Sequence, residues 1–333
     1  MKKSISLLLA LVLLLCMTAC SGGNSKKDDP KIPDSIVFRD TDALQGKKIG
    51  CTIVYKGDEW TSTVSNALET FAKHYGAELT CEDGDTNDET QTKQIENMIA
   101  NGVDLILADP VTADGCNEAL MKAVEKKIPV IIFDGCWNNA KENAVTSVSW
   151  DQYQTGVEVG KYLIDYAHKN NIEKATVVEL EMAISTHCQD RFKGFNDTIE
   201  KAEGVEFNVL NEYDAQGNRE TAYNIVSSIV EPYDFIVSDI DNESNGAVAA
   251  LQAAGNTRVK VLSMGGYGNE PFEAVHSNDT NYLAFLNVDA WQFAELVINS
   301  TISYFKGETL DETIYLQTVM VDNSNAEKYW IFD

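Results

Sequence analysis

The chain has 333 residues and carries 52 acidic against 26 basic side chains, a formal charge of −26. A surface this acidic repels phosphate backbones and anionic headgroups, which excludes nucleic acid and a charged lipid surface as electrostatic partners. With 44% apolar and 23% charged residues the composition is that of a folded chain rather than a disordered one. No apolar run reaches the roughly 20 residues of a membrane-spanning helix, which sets a helical channel or permease aside.

The first predicted element is a leader. Lys2 and Lys3 precede a nearly unbroken apolar run over 5–16, the pattern of an export signal and too short to span a bilayer. The run closes on Met17-Thr18-Ala19-Cys20, followed by Ser21-Gly22-Gly23. Small residues before a Cys and a Ser/Gly-rich stretch after it resemble the lipobox of bacterial lipoproteins. The resemblance implies a signal peptide over 1–19 and a lipid anchor on Cys20, with an ordinary secretory leader as the alternative. Residues 20–45, rich in Ser, Gly, Lys, Asp and Pro, are expected as a flexible tether. The later cysteines, Cys51, Cys81, Cys116, Cys136 and Cys188, stand singly, with no CxxC and no metal-type spacing. Their odd number speaks against a disulfide framework and for buried free thiols.

From residue 47 strands and helices alternate. The pattern predicts a strand over 48–54, then a helix over 61–75 with Val64, Leu68, Phe71 and Ala72 at helical spacing, closed by Gly76. A strand over 77–81, a helix over 89–101, a strand over 104–108, a helix over 113–126 and a strand over 129–133 follow. Continuous apolar strands such as Leu105-Ile106-Leu107 and Val130-Ile131-Ile132-Phe133 fit a parallel sheet covered on both faces. After Trp150 the rhythm restarts with helices over 152–169, 190–201, 219–229 and 245–254 between strands over 175–180, 206–210, 235–238 and 260–264. A helix over 290–305 and a strand over 312–320 end the series. Two successive βαβ series predict an α/β protein of two doubly wound parallel-sheet lobes. In such lobes the loops at the C-terminal ends of the strands collect the ligand, here 54–60, 109–114, 134–138, 182–190, 239–245 and 265–271.

Four stretches then carry a resemblance: Lys48-Ile49-Gly50-Cys51-Thr52-Ile53, Ala100-Asn101-Gly102-Val103-Asp104-Leu105-Ile106-Leu107, Ile128-Pro129-Val130-Ile131-Ile132-Phe133-Asp134 and Arg191-Phe192-Lys193-Gly194-Phe195. In this order, behind a lipobox, they resemble the type I periplasmic solute-binding proteins of bacterial ABC transporters, in the branch of the ribose- and glucose/galactose-binding proteins. The resemblance implies three crossovers, near 148–151, 287–289 and 312–316. One lobe would hold 46–149 plus 289–314, the other 150–288 plus 315–333. It also implies a monomer, anchored outside the cell membrane through Cys20, that captures a small polar ligand and delivers it to an ABC permease and its ATPase. A monosaccharide is the first candidate ligand, and no cofactor, metal or nucleic acid is implied. Two alternatives stay open: a lipoprotein reporting to a membrane receptor or histidine kinase, and a non-sugar ligand such as a furanone signal or a cation drawn to Asp58, Asp109 and Asp134.

The site residues come from the same resemblance. Asp58 and Trp60 match a first-loop carboxylate and aromatic wall; a carboxylate accepts two hydroxyl hydrogen bonds and an aromatic face stacks on sugar C–H groups. Trp60 could equally be a helix-start residue packed on its own lobe. Asp109 and Asp134 match ligand positions after two strands, or are strand-end caps. Arg191 matches a ligand arginine, or a helix-surface ion pair. His187 falls where glucose/galactose binders have an Asp, or is merely an exposed loop histidine. Asn287 matches a ligand amide at the second crossover. The family's C-lobe aromatic falls at Ala215, its Asn-Asp pair at Ile240-Asp241 and its ring-binding Asp at Gly265, so a claim of ribose, glucose or galactose is dropped. Trp137, Trp150 and Tyr267 could rebuild a wall from other directions. The calcium loop of the glucose/galactose binders has no counterpart.

Enzyme chemistry finds no footing. There is no GxSxG, HExxH or GxxxxGK[ST], and Gly265-Gly266-Tyr267-Gly268 reads as a turn. A transcriptional regulator of related fold would need a helix-turn-helix where this chain has a leader.

Overall fold

The computed structural model describes residues 32–277 and 281–332. The expected signal peptide over 1–19 and Cys20 lie outside the described residues.

From β1 (Lys48–Ile53) the chain runs through α1 (Glu59–His74), β2 (Glu78–Asp83), α2 (Asp88–Asn101), β3 (Leu105–Ala108), α3 (Asn117–Glu125), β4 (Val130–Phe133), the single turn α4 (Ala140–Asn143) and β5 (Thr146–Ser149). It continues with α5 (Gln152–Lys169), β6 (Lys174–Glu181), α6 (Thr186–Ile199), β7 (Glu206–Asp214), α7 (Arg219–Ser228), β8 (Phe235–Ser238), α8 (Asp241–Ala253), β9 (Lys260–Gly266), α9 (Asn269–His276) and β10 (Tyr282–Asn287). The last elements are α10 (Ala290–Phe305), β11 (Thr313–Tyr315), β12 (Val319–Asp322) and α11 (Ala326–Tyr329).

Two six-stranded sheets result, in the orders β11-β5-β4-β3-β1-β2 and β12-β10-β9-β8-β6-β7. All pairings are parallel except that of β12 with β10. The apolar strands explain why each sheet is covered twice. Successive side chains of a strand point to opposite faces. Leu105 and Leu107 therefore enter a core with Val64, Leu68 and Phe71 of α1 and Phe293 and Val297 of α10. Ile106 and Ala108 enter another with Ile95 and Met98 of α2 and Leu120 of α3. The second sheet divides alike, with Val178 and Leu180 on one face and Ala175 and Val177 on the other. Each fully buried Leu or Ile contributes about 1.5–3 kcal/mol, so cores on both faces hold every strand in register.

The chain passes between the sheets three times: from β5 to α5, from β10 to α10 and from β11 to β12. The segment 312–320, which reads as one strand, is in fact two strands in different sheets, because the third crossover interrupts it at 316–318. The segment 32–45 also departs from the expectation of a tether. Ile36 and Leu44 are buried in the first lobe's core, and Phe38 stacks on His74 with ring centroids 3.8 Å apart. Arg39 bonds the Asn299 carbonyl and the Ser303 hydroxyl of α10. Apolar side chains among the polar ones make this stretch a strap.

Candidate functional site

A cavity of about 400 Å³ lies between the lobes, within the range of small-molecule sites. Its walls come from the segments that follow β1, β2, β4 and β5 in the first lobe and β6, β7, β8 and β9 in the second. Both parallel sheets thus aim their C-terminal strand ends at one space.

Asp58 sits there because it caps α1. Its Oδ1 accepts from the Thr61 N–H at 2.9 Å and its Oδ2 from the Thr61 hydroxyl at 2.7 Å. Trp60, the second residue of α1, donates its indole N–H to the Val288 carbonyl at 2.8 Å, at the second crossover. Trp150 meets it edge to face, ring centroids 5.5 Å apart, and both pack on Phe293. Trp60 therefore packs on its own lobe and lines the cavity at once. Trp150 Nε1 is buried with no hydrogen-bond partner, an orphaned donor in the cavity wall. Asp134 lines the cavity from a left-handed backbone, φ 56°. Burial pushes its carboxyl up to about 6 against the opposing pull of Arg191.

Arg191 carries the second lobe's contribution. It is buried, donates Nε to Gln152 Oε1 and NH1 to the Asp239 carbonyl, both at 2.7 Å, and lies over the Trp150 ring at 5.4 Å. No carboxylate forms an ion pair with it among the described residues. It is not the surface ion pair that its helical position also allowed. Asp241, at the start of α8, accepts from the Tyr267 N–H at 3.2 Å, and burial, with Asp58 and Glu59 nearby, pushes it up to about 7.

Four expected ligand residues do not line the cavity. Asp109 is buried behind it, where its two oxygens accept from the Val54 and Gly135 N–H groups and tie the loops after β1 and β4 together. Burial and then the neighbouring Asp134 hold its carboxyl well above the usual range. Trp137 is a core residue on the far face of the first sheet, donating to Asn117 Oδ1 at 2.9 Å. Asn287 is buried at the end of β10, one residue before the cavity-lining Val288. His187 faces Cys136 of the opposite lobe, Nε2 to Sγ 2.6 Å. Burial pushes that thiol up to about 11 and the imidazole down to about 4, so the pair is neutral and lacks the thiolate of a cysteine nucleophile.

Sequence reasoning missed Tyr55, Thr86, Met182, Gln216 and Asn242 in the lining. Most lie in or beside loops that the strand pattern marked, but nothing in their residue types singled them out. Among the described residues there is no cluster of three or more metal-ligating side chains and no helix long and apolar enough to cross a membrane.

Two α/β lobes that bring donors and acceptors to a shared cavity have the architecture of a solute-binding protein. The chain belongs to the periplasmic binding protein domain family, whose model matches residues 49–309. This is a family of extracytoplasmic receptors that bind sugars and polyols for ABC transporters and do not catalyse reactions. The chain is 24% identical to the galactofuranose-binding protein YtfQ of Escherichia coli (strain K12), over 70% of this chain and 75% of that protein. It is 26% identical to a xylitol-binding protein of Mycolicibacterium smegmatis, over 80% of this chain and 70% of that protein. Among solved structures, an ABC transporter solute-binding protein from Agrobacterium vitis with bound allitol superposes with a TM-score of 0.76 at 20% identity, covering 86% of this chain and 98% of that one.

Proposed function

We propose that this protein captures a monosaccharide or a polyol of similar size between its lobes and delivers it to an ABC permease and its ATPase, held at the membrane by a lipid on Cys20. The observation that carries the reading is Arg191: a buried guanidinium with no carboxylate partner, facing a cavity that Asp134, Asp58 and Asp241 also line. A carboxylate ligand would satisfy the guanidinium and be repelled by three acids. An ammonium ligand would satisfy the acids and be repelled by the guanidinium. Hydroxyl groups both donate and accept, so a polyhydroxylated ligand serves both sets at once. Trp60 and Trp150 offer ring surface for its C–H groups. The relatives that bind galactofuranose and xylitol, and the structural neighbour holding allitol, support the same ligand class.

The test is a thermal-shift screen against sugars, polyols, furanones, amino acids and polyamines. A ligand at 100 times its Kd stabilises the folded chain by about 2.7 kcal/mol. The expected outcome is a rise in Tm with a monosaccharide or polyol, abolished by Trp60→Ala and by Asp134→Ala. A response confined to amino acids or polyamines would refute the reading.

A further inference from the structure

One part of the cavity wall is built of apolar side chains, with the amides of Gln216 and Asn242, which also line the cavity, next to it in the chain. Met182, Gly217 and Ile240, from the segments after β6, β7 and β8, all line the cavity. A Cβ placed on Gly217 would stand 3.1 Å from Met182 Sδ and 3.3 Å from Ile240 Cδ1, so the two side-chain ends converge over the glycine. Four of their main-chain groups are engaged elsewhere. The Gly217 N–H donates to Glu243 Oε1 at 2.9 Å and the Met182 N–H to Asp239 Oδ2 at 2.7 Å. The Met182 carbonyl accepts from the Ser185 N–H, and the Ile240 carbonyl from the Ser238 hydroxyl and the Ser244 N–H. The adjacent Asp241 directs one oxygen to the Tyr267 N–H. Arg191 is close by, since its NH1 bonds the carbonyl of Asp239, the residue before Ile240.

A ligand held by Arg191 and Asp134 thus extends toward a thioether, a branched methyl and a bare glycine. A hydroxyl laid on that patch exchanges water for groups that cannot bond it, whereas a methyl or methylene gains apolar contact. We propose that the ligand ends there in an unhydroxylated carbon and that the preferred class is the 6-deoxyhexoses, with Met182 and Ile240 as the residues that set the preference. This inference rests on the polyhydroxylated reading of the site and narrows it. An apolar pocket discriminates by about 10- to 100-fold at a single group.

Isothermal titration of the full chain with paired sugars tests it: D-fucose against D-galactose, L-fucose against L-galactose, and L-rhamnose against L-mannose. The expected result is at least one 6-deoxy sugar binding about tenfold or more tighter than its 6-hydroxy parent. Ile240→Asn, which supplies an amide, should shrink or reverse that ratio, and Met182→Gln, at a site outside any helix, should do the same should the first variant unfold. A parent hexose bound as tightly as its deoxy partner overturns the inference and leaves the sugar reading standing. So does a failure of every pair to bind while another sugar or polyol does. Silence with every sugar and polyol overturns both.

Discussion

Arg191 is the residue at which affinity and stability part company. A buried charge without a direct ion pair carries a desolvation cost that its bonds to Gln152 and Asp239 and the nearby carboxyl of Asp134 offset only in part. Replacing it by Met keeps the packing over Trp150 and removes the charge. Arg191→Met should therefore leave the Tm of the ligand-free chain unchanged or raised, while weakening ligand binding about 100-fold, the worth of one or two charge-assisted bonds. Calorimetry without ligand and titration with it read the two effects separately. Buried carboxyls, Asp134 and Asp241 in the cavity wall and Glu179 in β6, make a second, pH-dependent contribution. Burial holds Asp134 at about 6, Asp241 at about 7 and Glu179 at about 8, all above their unfolded values. The folded chain then binds these protons more tightly than the unfolded chain, so stability falls as pH rises from about 4 through these values. His187, held at about 4, works in the opposite sense as pH falls below its unfolded value of about 6.5, but the raised acids, Asp109 and Glu243 among them, outnumber it. Scanning calorimetry should show Tm of the ligand-free chain falling between pH 5 and pH 8, with Asp241→Asn flattening the fall and raising Tm at pH 8.

At the scale of elements, what aims Arg191 is the contact between α5 and α6. A Cβ on Gly156 would overlap the Arg191 carbonyl, and one on Gly194 would overlap the Tyr153 carbonyl, so the two helices touch backbone to backbone. Ala is the better helix former by about 1 kcal/mol, yet overpacking of this kind costs about 1–3 kcal/mol. Gly156→Ala should lower Tm and, by pushing α6 away from the cavity, weaken ligand binding at least tenfold. A stabilised variant with full affinity would show that the contact does not position the arginine. This joint was not legible in the sequence: a glycine in a helical pattern looks the same whether it faces solvent or a neighbouring carbonyl. The central strands were legible, because burial on both faces leaves runs such as Val130–Phe133 with no polar residue. Short outer pieces were not. β5 is only four residues of mixed Thr, Ser and Val, and α9 hides inside what reads as a Gly-rich loop. For the site, the loops followed from the strand ends, but which side chains line the cavity did not. Asp109 and Asp134 occupy equivalent positions after β3 and β4, and only the folded chain separates the one that ties loops from the one that lines the cavity.

For the molecule as a whole, the lobes are joined by three strands of chain and touch across the cleft where Cys136 meets His187. Cys136 is the exposed thiol among five free cysteines in the described residues, the other four being buried. Cys136 keeps exposed surface even in the contact, but partial burial against His187, with the acids Asp134 and Asp190, pushes its thiol up to about 11, which leaves little thiolate at neutral pH. When the lobes part, the thiol loses its His187 contact, is hydrated more fully and moves toward an ordinary value near 8.5, so its reactivity reports the open fraction. A ligand that makes contacts from both lobes favours the closed form by its differential affinity for the two states. Saturating ligand should therefore slow alkylation of Cys136 by about tenfold at pH 7.5, with Cys136→Ser removing the reaction and Arg191→Met abolishing the protection at the same ligand concentration. An alkylation rate indifferent to a ligand that demonstrably binds would mean that capture proceeds without closure. The second lobe's groups would then be walls of a rigid pocket rather than the half that shuts it.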